Sequence, residues 1–212
     1  MATRENQRER TRRAIVDAAG RLVDAGSPTP SVDEIADEAL VSRATVYRYF
    51  ESIDDLLWQL HADRNSPDPR IAMSTAGDDL GKRMLAAEEN VNAYLFEHQE
   101  STRTFERIML ERRIEGRATD ADRPGRRFIQ IDAAIEPLAE QLPAADVRLV
   151  RHALSLAIGS QSMVALLDTA GLEPDEARTV TQFVCRAIAS ETQRLVDEHE
   201  PSSGGRAAAA TG

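Results

Sequence analysis

The chain has 212 residues with a formal net charge of -10, a hydrophobic fraction of 42% and only 4% aromatic residues. This composition allows one large core or two small ones and favours helix over sheet. A protein that binds nucleic acid through its whole surface is usually basic, so any DNA contact of this acidic chain must be local.

Cysteine content and the start of the chain indicate the compartment. The single cysteine, Cys185, excludes a disulfide within the chain and favours a reducing environment. The first residues are polar and charged rather than apolar, and no run approaches a membrane span of about 18 apolar residues. We therefore expect a cytoplasmic protein with no membrane partner.

Helical periodicity runs through the N-terminal part of the sequence, where signals for strands are almost absent. Four helices are predicted here, over about 4–25, 31–40, 42–49 and 52–63. Gly26 ends the first of them. Ser31 and Glu34 have the spacing of a capping box, in which a hydroxyl and a carboxylate satisfy the first N–H groups of a helix. The second helix therefore starts at Ser31.

Residues 31–50 predict two short helices joined by a tight turn, which is the arrangement of a helix-turn-helix. The second helix of such a motif can enter the major groove of DNA. Its exposed side carries groups that can reach phosphates or base edges, namely Ser42, Arg43, Thr45, Tyr47 and Arg48. Val46 and Phe50 are predicted to point back into the core.

An arginine-rich stretch precedes this motif, with Arg4, Arg8, Arg10, Arg12 and Arg13 against two glutamates. Such a stretch can lie along the DNA backbone or reach a minor groove. A solvated helix face gives the same pattern, and the sequence leaves both interpretations open.

Residues 65–78 are rich in Pro, Ser, Asp and Gly and are predicted to be a linker. Further helices are predicted over about 79–97, 102–113, 128–142, 145–170 and 174–198. The predicted division is a DNA-binding domain over 1–64 that includes the linking helix 52–63, a helical regulatory and dimerisation domain over 79–199, and a disordered tail over 200–212.

The last two predicted helices carry more apolar surface than one buried face requires. In 145–170 apolar residues lie on nearly every side of the helix. In 174–198 they form a stripe of Val180, Phe183, Val184, Ala187, Ile188 and Leu195. We expect a homodimer interface through these two segments, and ordinary core packing within one chain is the alternative.

Catalytic and metal sites find little support in the sequence. The four histidines, His61, His98, His152 and His199, are far apart and lack the spacing of zinc or dinuclear carboxylate sites. Motifs for phosphate binding or for an activated nucleophile are absent. We therefore expect no enzyme, no cofactor and no metal.

Residues 12–57 resemble the TetR/AcrR family of transcriptional regulators. The matching pieces are A-I-V-D-A-A-G-R-L-V-D-A-G, S-V-D-E-I-A, V-S-R-A-T-V-Y-R-Y-F and D-D-L-L. The resemblance implies an all-α fold with an N-terminal three-helix helix-turn-helix domain and a C-terminal helical domain for ligand binding and dimerisation. It further implies DNA contacts, by position, from Ser31, Ser42, Arg43, Ala44, Thr45, Tyr47, Arg48 and Tyr49.

The same resemblance implies a homodimer on a pseudo-palindromic operator and repression that a small-molecule effector relieves. Two positions depart from the common pattern of the family. Leu40 stands where Gly is common, and we expect Leu to avoid a left-handed backbone, which costs about 1 kcal/mol or more. Ile53 stands where a phosphate-contacting Lys is common. These departures keep an alternative open, a helical dimer that has lost specific DNA binding and acts through protein partners.

An effector pocket is predicted between helices of the C-terminal part. The candidates that can face it are Trp58, Tyr94, Phe105, Met109, Phe128, Gln161 and Met163, and core packing is the alternative for each. Ser160 and Gln161 are polar in an apolar helix and need a partner, which can be a ligand, a neighbouring helix or a second subunit. His98 and Arg112 can bind an acidic effector or be solvated. Effector binding is expected to shift the linking helix and so change the separation of the two recognition helices, about 34–36 Å on successive major grooves.

Overall fold

Helices and helical turns are the regular elements of the computed structural model, which describes residues 2–64, 68–117 and 125–199 and the side chains of 5–61, 68–117 and 127–199. No strand occurs in these ranges, and the predicted all-α fold class is confirmed. The predicted tail over 200–212 and residues 118–124 lie outside the described residues.

The helices follow the predicted order. In the N-terminal part they are α1 (Ala2–Asp24), α2 (Val32–Glu38), α3 (Arg43–Tyr49), α4 (Ile53–Arg64) and α5 (Pro69–Ala76). They continue with α6 (Leu80–Glu97), α7 (Gln99–Ile114) and α8 (Gly125–Ile135), which a 3-10 turn over Glu136–Glu140 extends. The chain then forms α9 (Ala144–Ala157), α10 (Ser160–Met163), a π-helical segment (Val164–Thr169) and α11 (Pro174–His199).

The first compact unit comprises Met1–Pro67 and Tyr94–Arg126. Its core is apolar. Each of α1 to α4 contributes buried side chains to it, among them the fully buried residues Ile15, Ile35, Val46 and Leu56. The helix α4 packs on α7 as well as on α1. This unit therefore holds the helix-turn-helix on a closed apolar core.

The second compact unit comprises Asp68–Ala93 and Arg127–Gly212. Within it α11 packs on α9, and Gly81 on α6 lies beside Ala189 on α11, where a Cβ at Gly81 would make an ordinary van der Waals contact at 3.9 Å from the Ala189 Cβ. The buried guanidinium of Arg83 donates hydrogen bonds to the carbonyls of Ala133 and Ala134, at 2.6 and 2.9 Å. Arg83 thereby satisfies the C-terminal carbonyls of α8.

Two predicted elements differ from the structure. The predicted linker over 65–78 contains α5, because Asp68 accepts a hydrogen bond from the Arg70 N–H, Pro69 occupies the first turn and Met73 is buried. The continuous helix predicted over 145–170 breaks at Gly159, whose φ of 131° favours glycine.

The predicted domain boundaries stay a prediction. The structure groups α7 with the first compact unit, whereas the sequence assigned it to the regulatory domain over 79–199. Among the described helices, none is long and apolar enough to cross a membrane.

Candidate nucleic-acid interface

The second helix begins with the predicted capping box. The Ser31 backbone N–H and hydroxyl both donate to Glu34 Oε2 at 2.7 Å, and the Glu34 N–H donates to Ser31 Oγ at 3.3 Å. The hydrogen bond from the Ser31 hydroxyl and then that from its backbone N–H hold the pKa of Glu34 below its ordinary value. Ser31 is exposed, so its hydroxyl caps α2 from the surface of the protein.

The turn between α2 and α3 corrects the expectation for Leu40. Leu40 adopts a left-handed backbone with φ 55°, and its N–H donates to the Asp37 carbonyl at 3.1 Å. The Val41 N–H donates to the Ala36 carbonyl at 2.9 Å. These two bonds form a Schellman motif, which normally has glycine at the left-handed position. The turn therefore forms with leucine at the left-handed position, and the bonds that close α2 hold the strained residue in place.

The third helix is anchored along one side and exposed along the other. Ser42 caps it by accepting the Thr45 N–H at 3.1 Å. Val46 is fully buried and Phe50 nearly so, which confirms the prediction that both point into the core. Tyr47 keeps half of its surface exposed. The core contacts thus fix which side of α3 faces outward.

The predicted DNA-contacting residues share this outward side to different degrees. Ser31, Ser42, Arg43, Ala44, Tyr47 and Arg48 are exposed, while Thr45 and Tyr49 are half-buried. Tyr49 packs against the N-terminal core, and the guanidinium carbon of Arg48 lies 5.3 Å from the centre of its ring. The structure brings all eight residues to α3 and to the start of α2, and their contact with DNA stays a prediction.

The arginine-rich start of α1 divides into two groups. Arg12 has a structural role, since its Nη2 donates to Gln59 Oε1 at 2.7 Å and its guanidinium carbon lies 5.1 Å from the Phe50 ring centre. It therefore ties α1 to α4 and to the end of α3. Arg8, Arg10 and Arg13 are exposed in α1, which either interpretation of this stretch allows, and the side chain of Arg4 lies outside the described ones.

The position where the family commonly has lysine carries an apolar contact in this chain. Ile53, the first residue of α4, is partly buried and packs against the core of the first unit. Ser52 caps this helix by accepting the Asp55 N–H at 3.0 Å. Ile53 therefore contributes core packing at the start of α4, at the position where the resemblance implies a phosphate-contacting lysine in other members.

Four of the seven predicted effector-binding residues lie together in the first compact unit. Trp58 donates from Nε1 to the Met109 sulfur at 3.2 Å, and the Phe105 ring stacks on His61 with centres 4.1 Å apart. Tyr94 contacts the His98 ring, and a small cavity of about 20 Å³ beside Tyr94, His61 and Phe105 has room for one water. Arg112 forms an ion pair with Asp55, so the residue proposed to bind an acidic effector joins α7 to α4.

The other three candidates lie in the second compact unit. Phe128 is covered by Arg151, whose guanidinium carbon lies 3.9 Å from the ring centre. Gln161 accepts a hydrogen bond from Arg127 Nη1 at 2.5 Å, and Arg127 lies on the neighbouring helix α8. Met163 is fully buried and, like Ser160, lies at the break after α9. The seven residues therefore form two clusters within separate units.

A buried polar cluster on α6 is not among the sites predicted from the sequence. Glu88 is fully buried, and its Oε1 accepts hydrogen bonds from Thr181 Oγ1 at 2.7 Å and from Asn92 Nδ2 at 2.9 Å. The amide of Asn92 also donates to the Ala157 carbonyl and accepts the Gly159 N–H, both at 2.9 Å. Asn92 thereby satisfies the backbone groups that the break after α9 leaves without helical partners.

This cluster had a signal in the sequence. Glu88 falls in the apolar stripe of α6 with Met84, Val91 and Leu95, at spacings of three and four residues. Burial raises the pKa of Glu88 above its ordinary value against the hydrogen bonds that lower it. Burial, together with the charge of Glu88, raises the pKa of the Cys185 thiol to about 12. The thiol is therefore kept neutral and inert.

Comparison with known proteins gives three findings. The family model described as "Bacterial regulatory proteins, tetR family" matches residues 15–60. The HTH-type transcriptional repressor LfrR of Mycolicibacterium smegmatis is 56% identical over 50 residues, which are 24% of this chain and 26% of that relative. The alignment thus spans about a quarter of the curated relative's length.

A crystal structure of a proposed TetR-family transcriptional regulator from Mesorhizobium loti has a similar fold. The TM-score is 0.58 at 19% sequence identity, and the superposition covers 87% of this chain and 97% of the other. The likeness therefore extends over both compact units, well beyond the N-terminal match.

Proposed function

We propose that this chain, whose residues 15–60 match the tetR family model, is a TetR-type sequence-specific DNA-binding transcriptional regulator of the cytoplasm. The observation that carries the proposal is the anchoring of α3. Val46 fixes one side of the helix in the core, and Tyr47 and Arg48 stand on the other. A helix held in this way can enter a major groove without refolding.

The charge pattern supports DNA as the partner of this surface. Between Val41 and Phe50 the chain has no acidic residue, although its net charge is -10. Arg43 and Arg48 are exposed there, and guanidinium groups bind both phosphates and guanine. Local positive charge in an acidic chain directs DNA to one surface.

We propose further that the protein acts as a homodimer through α9 and α11. Phe183 on α11 is 65% exposed, and Leu149 and Leu156 on α9 are 62% and 78% exposed. Every residue of the predicted apolar stripe on α11 is at least partly exposed in the single chain. A second copy would cover these side chains and place two recognition helices on one operator.

The proposal includes repression that a small-molecule effector relieves. Its support in this chain is the connection of α4, which directly follows the helix-turn-helix, to α7. Trp58 contacts Met109, Arg112 binds Asp55, and Arg107 binds Asp54 at 3.1 Å. A displacement of α7 would carry α4 with it, so effector binding would change the spacing of the recognition helices.

The alternative, a dimer that has lost specific DNA binding, rested on Leu40 and Ile53. The turn accommodates Leu40 through the hydrogen bonds that close α2, and Ile53 packs on the core. No observation on the described residues therefore favours that alternative.

In-vitro selection from random duplex DNA tests the DNA-binding proposal, with salt concentration varied and Tyr47→Ala as the matched variant. We expect the wild type to enrich a palindrome and the variant to lose at least about tenfold in affinity for it, with unchanged thermal stability because Tyr47 is half exposed. Weak binding that both proteins share, without an enriched sequence, would contradict the proposal.

A further inference from the structure

An acidic side chain of α2 contacts the first residue of the recognition helix. Asp33 Oδ1 lies 3.2 Å from Arg43 Nε, and Arg43 Nη1 donates to Asp33 Oδ2, also at 3.2 Å. Both carboxylate oxygens therefore face two nitrogens of one guanidinium. The Nη1–Oδ2 contact is a hydrogen bond and the Nε–Oδ1 contact is an ion pair, so Asp33 contacts two nitrogens of the guanidinium and restricts the arginine side chain.

The ion pair of Asp33 and Arg43 is expected to contribute little to the stability of the fold. The two side chains are 60% and 61% exposed, and ion pairs in water contribute little to folding. Asp33 also lies in the first turn of α2, where a carboxylate interacts favourably with the helix dipole, but Glu34 is in the same turn. Next to DNA, a carboxylate beside α3 repels phosphates and lowers affinity for every sequence.

Orientation of Arg43 is the effect that the geometry does support. Arg43 is the first residue of α3, and the N-terminal residues of a recognition helix contact base edges. A free arginine side chain loses rotamer freedom when it binds, and a fixed one has already lost it. The guanidinium has five N–H groups, so those that Asp33 does not use can still bind a base.

We propose that Asp33 is a positioning residue that holds Arg43 in place to read guanine in each half of the operator. Guanine is the base whose two acceptors match a guanidinium in the major groove. The inference rests on the proposed DNA-binding function. Asp33 would then lower the overall affinity for DNA while raising the preference for one base.

The chain offers a matched control for the charge of Asp33. Asp37 lies one turn later on the same side of α2, is exposed and makes no ion pair among the described side chains. Asp37→Asn and Asp33→Asn therefore remove the same charge from the same helix face, and only Asp33→Asn also removes the ion pair with Arg43 and weakens its hydrogen bond.

The experiment is selection from random duplex DNA, followed by affinity measurements on the enriched operator and on versions with each guanine replaced. The proteins are the full-length wild type, Asp33→Asn, Asp33→Glu, Asp37→Asn, Arg43→Ala and the double variant Asp33→Asn/Arg43→Ala. We expect Asp33→Asn to lose about three- to tenfold of the discrimination at one guanine per half-site and to bind unrelated DNA more tightly. Asp37→Asn should keep the discrimination.

Two further results separate positioning from a merely structural role. Asp33→Glu should recover part of the discrimination, and Asp33→Asn should change nothing at that guanine once Arg43 is alanine. Unfolding temperatures are measured for each variant, because a loss of α2 stability would weaken all sequences alike.

Failure of the inference differs from failure of the proposed function. If the wild type enriches an operator and Asp33→Asn keeps the full guanine preference, the positioning role is wrong and DNA binding stands. Equal effects of Asp33→Asn and Asp37→Asn would also overturn it, since charge alone would explain them. A wild type that enriches no sequence would overturn the function and this inference together.

Discussion

The helix-turn-helix and the α11 region distribute polarity in opposite ways. Around α1 to α3 the buried side chains are apolar, and the exposed sides of α2 and α3 are polar. Around α11 polar groups are buried, with Glu88, Asn92 and Thr181 each at most 1% exposed, while Phe183 on α11 is 65% exposed. The first region has the polar surface that is usual for a domain facing solvent. The second has an exposed apolar surface, which is typical of an interaction site.

The difference fits the partner proposed for each region. A closed apolar core with a mostly polar outer side suits a polar partner such as DNA, because little apolar surface has to be covered. An apolar outer side backed by a hydrogen-bonded interior suits a second copy of the chain, because burial of the outer side drives association. The interior hydrogen bonds would then fix the geometry of the helix that carries the proposed interface.

Phe183→Arg tests the exposed apolar side of α11, and we expect it to have the largest effect. Two arginines per dimer would replace two buried phenylalanines, so we expect the dissociation constant of the dimer to rise by about 100-fold or more. Analytical ultracentrifugation over a range of concentrations measures it. Operator affinity should fall as well, because one recognition helix alone reads only half a site.

The matched control for this variant is Ile71→Arg on α5, where the replaced side chain is 71% exposed. This protein should remain dimeric, because α5 lies outside α9 and α11. If Phe183→Arg sediments as a dimer like the wild type, the exposed side of α11 is not the interface.

Glu88→Ala removes the acceptor at the centre of the buried polar cluster beside α11. Thr181 and Asn92 lose the oxygen to which both donate and remain buried, so the free energy of unfolding should fall by about 2–4 kcal/mol. Urea denaturation measures the change. Glu88→Gln keeps an acceptor oxygen and serves as the control, with a smaller expected loss.

The raised pKa of Glu88 predicts that the difference in unfolding free energy between the wild type and Glu88→Gln depends on pH. In the folded protein this carboxyl keeps a proton that the unfolded chain releases near the ordinary value of 4.5. The free energy of unfolding of the wild type should therefore fall as pH rises from 4.5 through the raised pKa, and then level off. Glu88→Gln cannot release this proton, so its stability relative to the wild type should increase over that range. Parallel pH curves for the two proteins would show that Glu88 does not titrate there.

The helix-turn-helix could be predicted from the sequence because its signals are local. Ser31 and Glu34 are three residues apart, and Ser42 precedes the helix that it caps. The break at Gly159 could not, because apolar residues continue on both sides of it and its backbone partners come from Asn92, far away in the sequence. Helix α5 was missed because Pro, Ser and Gly dominate its surroundings, although Asp68 and Pro69 are a regular helix start.

Leu40→Gly tests an exposed apolar residue of the helix-turn-helix, whose outer side is otherwise mostly polar. Leu40 is 92% exposed and is the non-glycine residue with a positive φ among those described, so its side chain gains little from packing while its backbone is strained. Glycine at the left-handed position of a Schellman motif removes that strain, and we expect the free energy of unfolding to rise by about 1 kcal/mol. Leu40→Ala keeps the Cβ and should show no such gain. Chemical denaturation of both variants decides between strain and packing, since a loss of stability in both would mean that the leucine side chain makes a stabilising contact after all.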